Sequence, residues 1–172
     1  WDVEGRRYFD FLSAYSAVNQ GHCHPKIIGA MIEQTKTLTL TSRAFYNDVL
    51  GPYEKFVTEY FNFDKVLPMN TGAEAVETAI KVCRKWGYEK KGIAENSAKI
   101  IVCENNFHGR TTTIVSFSND PVAKENFGPF TPGFIRIPYN NTEALAEALK
   151  EEGVVGFLVE PIQENYLRLK KN

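Results

Sequence analysis

Three short stretches hold residue types whose spacing could do chemistry. The first is Asn70-Thr71-Gly72-Ala73-Glu74-Ala75-Val76-Glu77, at an expected strand-to-helix junction. A helix start leaves backbone N–H groups without intrahelical partners. Gly72 lets a ligand approach the backbone, and Thr71 adds a hydroxyl. The positive end of the helix dipole then suits a phosphate. The alternative is a plain strand-to-helix turn with Thr-Gly as punctuation. The stretch is neither the GxGxxG of dinucleotide folds nor a P-loop. The second is Asn106-Phe107-His108-Gly109-Arg110, just after an expected strand ending at Cys103. Ligands of open α/β sheets bind outside the carboxyl ends of the strands. Phe107 could stack on a flat ring there. Arg110 could hold a carboxylate through two contacts. The bland readings are core packing for Phe107 and a surface ion pair for Arg110. The third is Glu160-Pro161-Ile162-Gln163, again at a strand end. A carboxylate there could orient a cofactor or a base, or could simply be solvated.

Other motifs argue against other chemistries. His22 and His24 flank Cys23, but further ligands at metal-site spacing are missing, and Pro25 reads better as a helix start. No Ser-His-Asp or Gly-x-Ser-x-Gly pattern is present. Three cysteines with no CxxC pair argue against a disulfide framework and suit a reducing compartment.

The elements that must position these residues follow from periodicity. Residues 1–11 read as a hairpin turning at Glu4-Gly5, with Tyr8, Phe9 and Phe11 as strand residues. Residues 12–23 read as a loop. Pro25 opens a helix that carries Ile28, Met31 and Ile32 to about Thr35. Residues 37–47 are polar with Phe45 and Tyr46. Val49, Tyr53, Phe56, Val57, Tyr60 and Phe61 form the apolar stripe of a second helix. Lys65–Met69 reads as a short strand. A helix over 73–86 should turn Val76, Ala79, Ile80, Cys83 and Trp86 inward. Lys99–Cys103 is a strand, and Arg110–Phe117 starts as a helix weakened by three threonines. Residues 119–133 read as a long loop. Phe134–Ile137 is a strand, Asn141 or Thr142 caps a helix over 143–151, and Val154–Val159 is a buried strand. Alternating strands and helices predict an α/β fold with a mostly parallel sheet.

Composition sets the outer bounds. The chain has 172 residues, 43% of them hydrophobic and 13% aromatic, which excludes a disordered chain. Its net charge of −1 argues against a nucleic-acid partner. No apolar run approaches the roughly 20 residues of a membrane span, so no membrane partner is expected.

The chain resembles the class III, fold-type I aminotransferases, which use pyridoxal 5'-phosphate, and among them the ornithine-using branch. The resemblance rests on WDVEGRRYFDFLSAYSAVNQGHCHPKI (1–27), LTSRAFYN (40–47), KVLPMNTGAEAVETAIKVCRKWGY (65–88), NNFHGRT (105–111), FGPFTPGF (127–134) and VEPIQ (159–163). It implies a partial large domain of the pyridoxal-phosphate transferase fold, preceded by an N-terminal hairpin and helix segment. Residues 1–62 would form that segment with dimer contacts, and 63–163 an incomplete cofactor-binding domain. Residues 164–172 would be an atypical tail, joined across a missing loop. The resemblance makes Thr71, Gly72, Ala73, Phe107, His108 and Glu160 cofactor-binding residues, His108 standing where relatives often carry Trp or Tyr. Tyr15 and Arg110 become substrate-binding residues. The implied reaction moves the δ-amino group of L-ornithine to 2-oxoglutarate, giving glutamate semialdehyde and glutamate, in a homodimer with residues 37–47 as a contact. The family's cofactor-bearing lysine has no counterpart here. Lys81 and Lys85 read as surface residues of a helix, and Lys170 and Lys171 as part of the tail. The 172 residues alone are therefore expected to be inactive. A non-catalytic binding module and a nucleotide-phosphate binder are the competing readings. The expected location is the cytoplasm, or the mitochondrial matrix for a eukaryotic source.

Overall fold

Local sequence signals set most of the element ends. In chain order, the computed structural model contains α1 (Ser13–Ser16), α2 (Pro25–Thr37), α3 (Leu50–Phe61), α4 (Gly72–Glu89), β1 (Lys99–Cys103), α5 (Thr112–Phe117), α6 (Pro121–Lys124), β2 (Phe134–Ile137), α7 (Thr142–Ala148) and β3 (Val154–Leu158). The structure describes residues 1–42 and 44–163. The expected tail at 164–172, with Lys170 and Lys171, and position 43 lie outside the described residues. Two units divide the chain, Trp1–Val66 and Leu67–Asn172.

In the first unit, Pro25 occupies the first turn of α2, where its missing N–H leaves no bond unmade. The apolar stripe of α3 forms as the periodicity predicts, and its Tyr53, Phe56 and Tyr60 are exposed. The expected hairpin is replaced by a turn. The Asp2 carboxylate accepts the N–H groups of Glu4 and Arg6 at 3.0 and 2.9 Å, and Gly5 takes a positive φ of 79°. Tyr8, Phe9 and Phe11 make no ladder, because an isolated two-stranded arm has too little to bury. Instead of a plain loop, Ser13–Ser16 forms a left-handed turn with φ of 49–68°. No described helix is long and apolar enough to cross a membrane.

In the second unit, three apolar runs form a parallel sheet in the order β2-β1-β3. Ile100 pairs with Phe134, and Cys103 with Ile137. On the other side, Lys99 pairs with Val154 and Ile100 with Gly156, so β3 carries a bulge at Val155. Both faces of β1 are covered, which is why it reads as an unbroken apolar run. Ile100 and Val102 pack with Ile80, Ile114, Phe117 and Val155 on one face. Ile101 and Cys103 pack with Ile137, Ala148 and Val154 on the other. The sheet is thus an α/β layer of parallel strands with helices on both faces.

Several expectations are corrected here. Lys65–Met69 forms no strand among the described residues, since nothing pairs with it. In α4, Ala79 and Trp86 point outward; Ile80 and Gly87 are buried, with Val76 and Cys83 packed on the core. The long loop contains α6, because Asp120 caps it by accepting the N–H of Val122 at 2.9 Å. Of the two expected caps, Asn141 is the one that forms, accepting the N–H of Ala144, and α7 ends at Ala148 rather than at 151.

Candidate functional site

The carboxyl ends of the three strands are tied to one another by side chains. Asn106, three residues past β1 and only 5% exposed, donates its amide to Cys103 O at 2.6 Å and Phe117 O at 3.5 Å. A buried amide satisfied in this way pins the turn. The next residue, Phe107, turns outward and is 47% exposed. Its N–H donates to Glu160 Oε2 at 3.1 Å. Glu160 lies two residues beyond β3. The Tyr139 hydroxyl, two residues beyond β2, lies 2.8 Å from Pro161 O and 3.2 Å from Glu160 O. Gln163, 1% exposed, donates its amide to Glu104 O at 2.8 Å.

The amino end of α4 meets the same loop. Thr71 Oγ1 accepts the N–H of Glu74 at 3.1 Å, and the Glu74 carboxylate accepts the N–H of Asn70 at 2.9 Å. Thr71 caps the helix, and the Glu74 carboxylate reaches the residue before the cap, so the Thr71 hydroxyl and Glu74 both serve the helix start. Gly72 and Ala73 are the first helical residues, whose N–H groups have no carbonyl partner within the helix. Nothing lies within 4 Å of where a Cβ on Gly72 would stand. Gly109 lets the loop approach closely. Its φ is +128°, and a Cβ there would stand 2.9 Å from Ile114 Cδ1 and 3.1 Å from Ala73 Cβ. The Thr111 hydroxyl adds a hydrogen bond to the Glu77 carboxylate.

Phe107, His108 and Arg110 line a cavity of about 410 Å³, whose apolar walls include Ile114, Val115 and Phe127. Burial pushes the His108 imidazole below its ordinary range, which keeps the ring neutral. Its Nε2 is buried and has no hydrogen-bond partner among the described residues, and the ring centroid lies 6.0 Å from that of Phe117. The exposed Arg110 guanidinium lies 5.8 Å from the Phe107 ring centroid. Burial, and then the negative charge of Glu160, push the Cys103 thiol up, which disfavours its thiolate.

The structure therefore brings together Ala73, Phe107, His108, Arg110 and Glu160, with Thr71 and Gly72 beside Ala73. Thr71, Gly72, Ala73 and Glu160 do not line the 410 Å³ cavity. Tyr15 belongs to the first unit, within the left-handed turn, and is 74% exposed. His22 pairs with Asp10 at 2.8 Å. Among the described residues no group of three or more His, Cys, Asp or Glu could hold a metal. Sequence reasoning passed over Tyr139 and the Thr111–Glu77 bond, because their partners stand 22 and 34 residues away and no local pattern marks them. Chemically, the arrangement offers N–H donors for an anion, a flat apolar face and a cation for a carboxylate.

Comparison with known proteins bears on this geometry. The model of the family "Aminotransferase class-III" matches residues 1–166. The mitochondrial ornithine aminotransferase of Drosophila ananassae is 67% identical over 95% of this chain, which spans 38% of that relative's length. The crystal structure of ornithine aminotransferase from Toxoplasma gondii superposes with a TM-score of 0.92 at 55% identity, covering 95% of this chain and 39% of that one. A structure described as acetylornithine aminotransferase from Elizabethkingia anophelis is 69% identical with a TM-score of 0.79, covering 95% and 40%. The relatives from D. ananassae, D. melanogaster, Caenorhabditis elegans and Rattus norvegicus are mitochondrial by name. That corrects the expectation of a cytoplasmic location. Composition and periodicity do not encode a compartment, so they were no guide.

Proposed function

This chain belongs to the class-III aminotransferases, and from that premise we propose that its full-length form transfers the δ-amino group of L-ornithine to 2-oxoglutarate, with pyridoxal 5'-phosphate as cofactor. The products are glutamate semialdehyde and glutamate. The observation that carries the reading is the meeting of the α4 amino end, the half-exposed Phe107 and Glu160 in a chain 67% identical to an ornithine aminotransferase.

The residues present fit that cofactor. The open space at Gly72, with the N–H groups of Gly72 and Ala73 at the positive end of an 18-residue helix, suits a phosphate dianion. Phe107 offers an aromatic face to a flat heterocycle, and neutral His108 brings no competing positive charge to the wall behind it. Pyridoxal phosphate, when bound, supplies an electron sink for the carbon that loses its proton during amino transfer. This chain's own residues bind and orient. Gly72 and Ala73 hold the phosphate, with Thr71 shaping the turn. Phe107 packs the ring, and Glu160, whose carboxylate accepts the Phe107 N–H, supports that packing. Arg110 takes a substrate carboxylate, and Tyr15 contributes to the substrate side. The full-length protein is read as a homodimer with residues 37–47 among its contacts.

The test is turnover by the full-length protein, offered 2-oxoglutarate with ornithine, N-acetylornithine or 4-aminobutyrate. Ornithine should be used with a kcat/KM at least about tenfold above the others, a margin of a few polar contacts. A preference for acetylornithine would overturn the substrate while leaving the family in place.

A further inference from the structure

We infer that Tyr139 and Glu160 are positioning residues that set the plane of the Phe107 ring, Glu160 acting through the Phe107 backbone. The inference rests on the proposed role of Phe107 as the ring that packs the cofactor.

The central strand β1 is flanked by β2 and β3, and Phe107 lies four residues past its end. Tyr139 leaves the end of β2 and reaches Glu160 and Pro161, beyond the end of β3, at 3.2 and 2.8 Å. It therefore bridges the end of the central strand from one neighbour to the other. Glu160, held at its carbonyl side, returns its carboxylate to the Phe107 N–H at 3.1 Å. A carboxylate accepting a backbone N–H makes a charge-assisted bond, stronger than a neutral one. On the other flank, Asn106 is buried and clamped to Cys103 and Phe117. The ring side chain itself is half-exposed, so packing alone does not hold it. The backbone ties on both sides set its direction. Removing the Glu160 acceptor leaves an N–H that water can satisfy, so the fold survives while the ring loosens.

The experiment uses the full-length protein and three measurements: pyridoxal phosphate affinity by titration, the induced circular dichroism of the bound cofactor, and hydrogen exchange at the Phe107 amide. Glu160→Ala is expected to weaken cofactor affinity by about tenfold, as loss of a bond to a charged group would, and Tyr139→Phe, which loses its bonds to two neutral carbonyls, by about fivefold. Both should diminish the induced signal and speed exchange at Phe107. Glu160→Gln keeps an acceptor and should stay within about threefold of the parent affinity. In a Phe107→Ala background, Glu160→Ala and Tyr139→Phe should weaken affinity no further, because coupled residues act as one unit. The inference is overturned if Glu160→Gln loses as much as Glu160→Ala and moves the pH midpoint of the bound cofactor's absorbance. That result would put the charge itself on the cofactor. It is equally overturned if both variants lower Tm but leave affinity and Phe107 exchange unchanged. Should the parent protein fail to bind pyridoxal phosphate, the functional reading falls. Exchange at Phe107 in the cofactor-free protein then still decides the positioning, with faster exchange sustaining it and unchanged exchange ending it.

Discussion

His108 sits in the loop that carries Phe107, and its titration is set by burial rather than by a charged neighbour. Burial lowers its folded-state value below the ordinary 6.5. As pH falls through about 6.5, the unfolded chain takes up a proton and the folded one does not. The contribution of neutral His108 to stability is therefore full above that pH and lost progressively below it, until the lowered folded value is passed. We expect the urea midpoint of the full-length protein to fall between pH 7.5 and pH 5.5, and His108→Phe to flatten that fall. Parallel pH profiles for the two proteins would contradict a buried neutral imidazole. The residue scale also shows what types alone leave open. Thr71 reads as a ligand hydroxyl, but its oxygen accepts the Glu74 N–H. Glu160, read at a strand end as orienting a cofactor or a base or as solvated, accepts the Phe107 N–H.

Helix α4 carries the candidate anion site at its start and a packing constraint near its end. Gly87 is buried against the bulge of β3, and a Cβ there would stand 2.3 Å from Val155 Cγ1. Both partners are held, one by the helix and one by the sheet, so neither can shift cheaply. Gly87→Ala is expected to destabilise by about 1–3 kcal/mol through overpacking, despite the better helix propensity of Ala. Thermal unfolding of the full-length protein checks this, and Val155→Ala in the same chain should recover part of the loss. An unchanged Tm would mean that α4 slides freely along the sheet. At this scale the sequence was legible wherever a pattern repeats. The apolar runs of β1, β2 and β3, the proline of α2 and the Asn141 cap of α7 each announce an element. The hairpin at 1–11 and the strand at 65–69 did not form, because a strand needs a neighbour and local propensity supplies none.

The whole molecule is larger in the relatives, since this chain spans 38% of the length of the D. ananassae enzyme. Among the described residues, no lysine lines the cavity that holds Phe107, His108 and Arg110. A polypeptide of these 172 residues alone is expected to show no ornithine-dependent turnover, whereas the full-length protein is expected to show it. Side-by-side assays with saturating pyridoxal phosphate decide the point, and turnover by the short polypeptide would show that its own residues suffice for chemistry. By itself the sequence determined the alternation of strands and helices, the parallel α/β class and the stretches that carry the site, because periodicity, glycine and proline act over a few residues. Only the tertiary structure decided which faces of α4 are buried, that Gly109 rests on Ala73, and that Tyr139 and Glu160 reach across strand ends to Phe107. Those contacts join residues tens of positions apart, and they exist only once three strands lie side by side in register.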